Sequence, residues 1–145
     1  LAESNEIANL SRDTARRLEQ GHPDAAAEGF IDYWSGSGTW RRIPQNRKLD
    51  LLKAIAKIRL DFAAISNDGG GLAEYKKLTL PVLLTAGDTG AQPGRRVAEL
   101  LARALPNGSL QILEGGGHMA PVVDAERVNG IIDGHLRAHS AAQTD

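Results

Sequence analysis

Leu80-Pro81-Val82-Leu83-Leu84-Thr85-Ala86-Gly87 is a short apolar run closed by a glycine, and its reading decides the fold. A run of this length without polar alternation has the pattern of a β-strand buried on both faces, as the strands of parallel sheets are. Pro81 fits at the strand's entrance, where a missing backbone donor is tolerated. From Arg95 to Leu105 the residues Val97, Leu100, Leu101 and Ala104 recur on one helical face, and Pro106-Asn107-Gly108 stops them. Leu110-Gln111-Ile112-Leu113 reads as the next strand. Val128, Ile131, Ile132 and Leu136 line a last helix that runs into a polar tail. Residues 71–145 therefore predict strand, helix, strand, helix. Strands joined by a helix of this length pair in parallel through a right-handed crossover.

Upstream of Gly69-Gly70-Gly71 the texture is helical. Ile7, Leu10, Thr14 and Leu18 recur at three- and four-residue spacing, the signature of one amphipathic face. Gly21-His22-Pro23-Asp24 breaks that pattern, and Asp24 is placed to cap a second helix through Phe30, Tyr33 and Trp34. Ser35 to Thr39 predicts a loop. Leu51, Leu52, Ile55, Ile58, Phe62 and Ile65 predict one face of a long helix. Residues 1–70 thus form a helical segment without a strand, joined to the rest by a flexible glycine linker. No strand precedes those glycines and no lysine sits where a phosphate-binding loop needs one.

Composition narrows the function classes. The chain has 145 residues, 41% hydrophobic and 24% charged, as an ordinary globular protein does. It has no cysteine, which removes disulfides, thiolate catalysis and Cys-ligated zinc. A net charge of -1 gives no electrostatic footprint for nucleic acid or an anionic membrane, so neither is an expected partner. No apolar run reaches the ~20 residues that span a bilayer. A reducing cytoplasm is the default expectation. A start at Leu1-Ala2-Glu3 rather than at methionine suggests processing, cleavage or partial ordering.

Ligands of parallel sheets bind just beyond the carboxyl ends of the strands. Those ends are Gly87-Asp88-Thr89-Gly90 and Glu114-Gly115-Gly116-Gly117-His118-Met119-Ala120-Pro121. Glycines before His118 permit a tight turn and a close backbone approach. A histidine suits general acid–base work, because its unperturbed pKa lies near neutrality. It would need a nucleophile or water on one ring nitrogen and a carboxylate on the other. Asp88, on the same sheet edge, is the candidate carboxylate. The alternatives are a turn histidine capping local backbone, and a turn aspartate bonding its own backbone two residues on. Asp124 and Glu126 read as first-turn acids of the last helix.

Met119, Trp34, Trp40 and Phe62 are the apolar groups to place around a substrate, with core packing the alternative for the tryptophans. His135 and His139 have the spacing of a helical metal pair. Positive charge at a helix C-terminus explains them more simply, and no metal is expected. Arg41, Arg42, Arg47 and Lys48 beside Trp40 read as a solvated face. Two parallel strands do not make a stable sheet, since sheets usually hold about four to six. This half needs strands from a second copy or from another chain.

The run LTLPVLLTAGDTGAQPGRRVAELLARALPNGSLQILEGGGHMAPVVDAERVNGIIDGHL, residues 78–136, resembles the C-terminal half of an α/β-hydrolase. In that family a strand of the PVLLxxG type precedes a loop that often bears the catalytic acid. A helix, a Leu-Pro turn and a last strand then lead to a glycine followed by the catalytic histidine, commonly GHxxP, which Gly117 to Pro121 match. The resemblance implies a partial α/β-hydrolase fold, in which residues 1–70 are a cap or lid segment and 71–145 the β-α-β-α end of the core. It implies hydrolysis of an ester, thioester or similar small apolar acyl substrate through a Ser-His-acid mechanism, with His118 as general base and no cofactor. It also implies that Asp88 orients the imidazole. The family's acid commonly stands three residues after the strand's glycine, where this chain has Gly90, so an acid on another strand is the substitute. The G-x-S-x-G nucleophile elbow is absent. Ser35 and Ser37 in Trp34-Ser35-Gly36-Ser37-Gly38 lack glycine at both flanking offsets. The serine and the oxyanion-hole loop are therefore expected outside this chain. The competing expectation is a non-catalytic, hydrolase-like assembly module that completes its sheet with another copy or chain.

Overall fold

The computed structural model describes residues 2–66 and 71–140. The chain divides into two compact units, Leu1–Gly69 and Gly70–Asp145. Gly69 and Gly70, read above as linker, and the end of the polar tail lie outside the described residues.

The first unit is built from helices α1 (Ala2–Glu19), α2 (Pro23–Ser35), α3 (Thr39–Arg42) and α4 (Gln45–Ser66). Ala26, Ala27, Trp40 and Ile55 form its buried core, and Leu18, Phe30, Leu52 and Ile58 pack against them. The two alanines carry almost no side chain, which lets α2 lie close to its neighbours. Burying Ile55 contributes on the order of 1.5–3 kcal/mol. Phe30 meets Phe62 edge-on at 6.0 Å and Trp34 at 6.3 Å, and Tyr33 stands perpendicular to Trp34 at 5.1 Å. Such tilted pairs satisfy the ring quadrupoles. Burial first, and then the Glu6 carboxylate, hold the Tyr33 phenol above its ordinary range.

Three expectations for this unit are corrected. Helix α2 starts at Pro23 with His22 at its N-cap and no side-chain cap, so Asp24 is a first-turn acid rather than the cap. The reason is Pro23, whose missing donor suits the first helical position. The loop after α2 is shorter than expected, because Thr39 already begins α3. Asp32 sets this up: its Oδ2 accepts from Gly38 N at 2.7 Å and its Oδ1 from Trp40 N at 2.8 Å. Gly38 supplies the left-handed backbone that the entry to α3 requires, at φ 75°. Last, α4 buries Ile55 and Phe62 but leaves Leu51 36% and Ile65 70% exposed. With 22 residues against 13 in α2, it outruns the surface that helix offers.

The second unit runs α5 (Leu72–Tyr75), β1 (Val82–Gly87), α6 (Gln92–Ala104), β2 (Gly108–Leu113), α7 (Ala120–Val123) and α8 (Ala125–Ser140). The expected parallel β-α-β-α order is what forms. Strands β1 and β2 pair in parallel, from Val82 opposite Gly108 to Gly87 opposite Leu113. Helix α6 touches both strands. It begins at Gln92 because Pro93 fits a first-turn position, and it buries Pro93 and Ala98. Val97 is 54% exposed and leaves the face on which it was expected. Arg95 and Arg96 both pair with Glu99, at 3.1 and 3.3 Å. At the end of β2, Leu113 forms a small core with Ala120 and Val128, and Ile131 packs against it.

The two-sided burial expected of β1 is not reached. Its residues are half-buried, and Thr85 is exposed. The sheet among the described residues holds two strands, which shelter each other along one edge each.

Candidate functional site

The site is the pair of loops at the carboxyl ends of β1 and β2. Parallel pairing carries both strands out on the same side, so the Asp88 and His118 loops leave the sheet together. Four hydrogen bonds then tie the Asp88 loop to the end of β2 and to the loop that follows it. Asp88 N donates to Leu113 O at 3.3 Å, and Thr89 N donates to Gly116 O at 3.0 Å. The Thr89 hydroxyl donates to the same Gly116 carbonyl at 2.8 Å. In return Gly115 N donates to Asp88 Oδ1 at 2.7 Å.

Gly87 makes the approach possible. A Cβ at this position would stand 2.0 Å from Gly116 O, inside any tolerable contact. The strand's last residue therefore has no side chain because the backbone of the other loop occupies that space. Gly116 is buried, and Asp88, Thr89 and His118 are exposed. The loop folds inward at Gly116 and carries the histidine at its surface.

His118 and Met119 lead straight into α7, with Met119 at its N-cap position and 43% exposed. Asp88 and Met119 thus belong to the same rim as His118. Trp34 and Trp40 belong to the first unit: Trp40 is 5% exposed within its core, and Trp34 sits in the aromatic group with Phe30 and Tyr33. Phe62 is buried in that unit as well.

The other candidates are engaged in local structure. His139 Nδ1 lies 2.8 Å from the His135 carbonyl, as a donor into the last turn of α8. Among the described residues no group of three or more His, Asp or Glu could hold a metal ion. Arg41 pairs with Glu28 at 3.1 Å, Arg42 donates to the Thr39 hydroxyl at 3.1 Å, and Lys48 Nζ stands 4.9 Å over the Trp40 ring. Arg41, Arg42 and Lys48 thus have partners within their own unit, while the Arg41 side chain stays 81% exposed. Among the described residues no helix is long and apolar enough to cross a membrane. A groove of about 520 Å³ lies between α8 and the sheet, lined by Leu83, Gln111, Ile131 and His135 among others. None of His118, Met119 and Asp88 lines it.

Thr89 and Gly87 were not singled out in the sequence as site residues, yet they join the loops. The signal was available in Gly87-Asp88-Thr89-Gly90, since Asp and Thr in turns habitually bond nearby backbone. What the sequence could not give was the partner, which lies 27 positions along the chain. No family model, curated protein or solved structure matches the chain.

Proposed function

We propose that the chain is part of an α/β-hydrolase acting on an ester, thioester or similar small apolar acyl substrate. His118 is the general base, and the serine comes from polypeptide outside these residues. The observation that carries the reading is the paired loop edge: a parallel β-α-β-α unit in which Asp88, after the first strand, is bonded to Gly115, three residues before His118 in the loop after the second. His118 takes the serine proton as Oγ attacks the acyl carbon. It returns that proton to the leaving group as the tetrahedral intermediate collapses. Backbone donors for the oxyanion belong with the serine, on the same outside segment.

The test is labelling by a fluorophosphonate of the protein isolated from its own cells through a tag on this chain. Serine Oγ bonds to phosphorus, fluoride departs and His118 accepts the proton. A labelled serine on attached or co-isolated polypeptide is expected. His118→Gln should slow labelling by at least about a thousandfold, the scale of losing a triad member. An unlabelled preparation, or labelling indifferent to His118, overturns the reading.

A second reading has its own support. The sheet among the described residues holds two strands, and apolar side chains of the same unit stand in solvent, with Leu80 67%, Val122 70% and Val123 78% exposed. An assembly module that completes its sheet with another copy or chain would use such a surface. An unlabelled but stoichiometric complex favours it.

A further inference from the structure

We infer that Asp88 and Thr89 form a positioning clamp for His118, in which Asp88 acts as a hydrogen-bond acceptor for the histidine's loop. This rests on the hydrolase reading and specifies how its base is held. The clamp is built from both sides. Thr89 grips the Gly116 carbonyl through its N–H at 3.0 Å and its hydroxyl at 2.8 Å. Asp88 takes the Gly115 N–H at 2.7 Å. Gly115 and Gly116 are the residues whose backbone sets the direction in which Gly117 and His118 leave the sheet. Glycines have no side chain to restrict them, so an unheld run would sample many directions. Three bonds to two consecutive glycines remove that freedom two and three residues before the imidazole.

The role assigned to Asp88 requires an oxygen at Oδ1 and does not require charge. That separates it from an acid that orients the imidazole, where the charge itself stabilises the imidazolium. Asp88→Asn distinguishes the two, because the carboxamide oxygen can still accept from Gly115. Asp88→Ala removes the acceptor, and Thr89→Val removes the hydroxyl while leaving the backbone bond.

The experiment measures the fluorophosphonate labelling rate of these three variants in the tagged, cell-isolated protein. Amide hydrogen exchange at Gly115 is followed alongside it. Asp88→Asn is expected within about threefold of the unsubstituted rate. Asp88→Ala and Thr89→Val are expected to lose about 10- to 100-fold, the scale of a misplaced catalytic group. A loss in Asp88→Asn equal to that in Asp88→Ala overturns the clamp and makes the charge the essential feature. Unsubstituted rates in both Asp88→Ala and Thr89→Val overturn it too. Should the unsubstituted protein take no probe, the hydrolase reading fails on its own, and exchange at Gly115 decides the clamp. Exchange faster by about tenfold in Asp88→Ala but unchanged in Asp88→Asn supports it, as the loss of one hydrogen bond predicts. Exchange unchanged in both variants removes it.

Discussion

Asp32 and Asp88 do the same work in different units: Asp32 accepts two backbone N–H groups and Asp88 one, each fastening a glycine-bearing segment. For Asp32 the consequence is measurable as a pH dependence. Burial alone would raise its pKa, but the N–H groups of Trp40 and Gly38, with Arg41 and Arg42 nearby, outweigh burial and hold it below the ordinary aspartate range. A carboxyl group whose folded pKa is depressed stabilises the fold above its unfolded pKa, near 3.9, and loses that contribution as pH falls through the folded value. Asp13, held down chiefly by Arg16 and further by Arg17, acts in the same direction. Asp32→Asn should therefore cost about 1 kcal/mol at neutral pH, because one carboxamide oxygen cannot serve both donors. Urea unfolding repeated below about pH 4 should show the gap between variant and parent closing. A gap that stays constant down to pH 2 would assign the cost to shape alone. Of these two aspartates, only Asp88 was visible as a candidate in the sequence, because it follows a strand's terminal glycine. Asp32 lies inside a helix, and its partners stand six and eight positions on, beyond any helical periodicity.

At the scale of elements, long periodic segments were legible and short ones were not. Helix α6 and the two strands follow from apolar runs stopped by proline and glycine. Helices α3, α5 and α7 have four residues each, too few to show a period. Helix α3 depends on a partner elsewhere, Asp32. The same limit explains α4, whose apolar residues mark one face without saying how much of it is covered. A substitution pair separates the pattern from the packing. Ile55→Ala, at a residue 2% exposed in the core, should cost about 2–5 kcal/mol. Ile65→Ala, at a residue 70% exposed on the same helix, should stay within about 0.5 kcal/mol. Urea midpoints followed by far-UV circular dichroism would show the contrast. Equal losses would mean that the last turn of α4 is covered in solution.

At the scale of the whole molecule, one edge of β1 is unpaired among the described residues. Val82 N donates to Asn107 O and Asp88 N to Leu113 O, so the even-numbered residues of β1 turn their polar backbone toward β2. Leu83, Thr85 and Gly87 consequently offer theirs to the other side. The side chains point to the same conclusion. Strand β2 alternates, with Ser109 and Gln111 exposed, as a strand with one solvated face does. Val82-Leu83-Leu84 does not alternate, and continuous apolar runs belong to interior strands. On the proposed reading, the edge of β1 is the place for a completing strand, whether from the serine-bearing segment or from a second copy. Thr85→Pro tests this directly. Proline there removes a donor that faces away from β2 and leaves the β1·β2 ladder whole, and proline is tolerated on an unpaired edge. The variant should keep the far-UV spectrum of the parent chain. It should also lose the co-isolated polypeptide or the self-association seen by sedimentation velocity, and fluorophosphonate labelling with it. Retention of both in Thr85→Pro would move the junction away from β1, and the apolar residues around α7 would become the surface to examine.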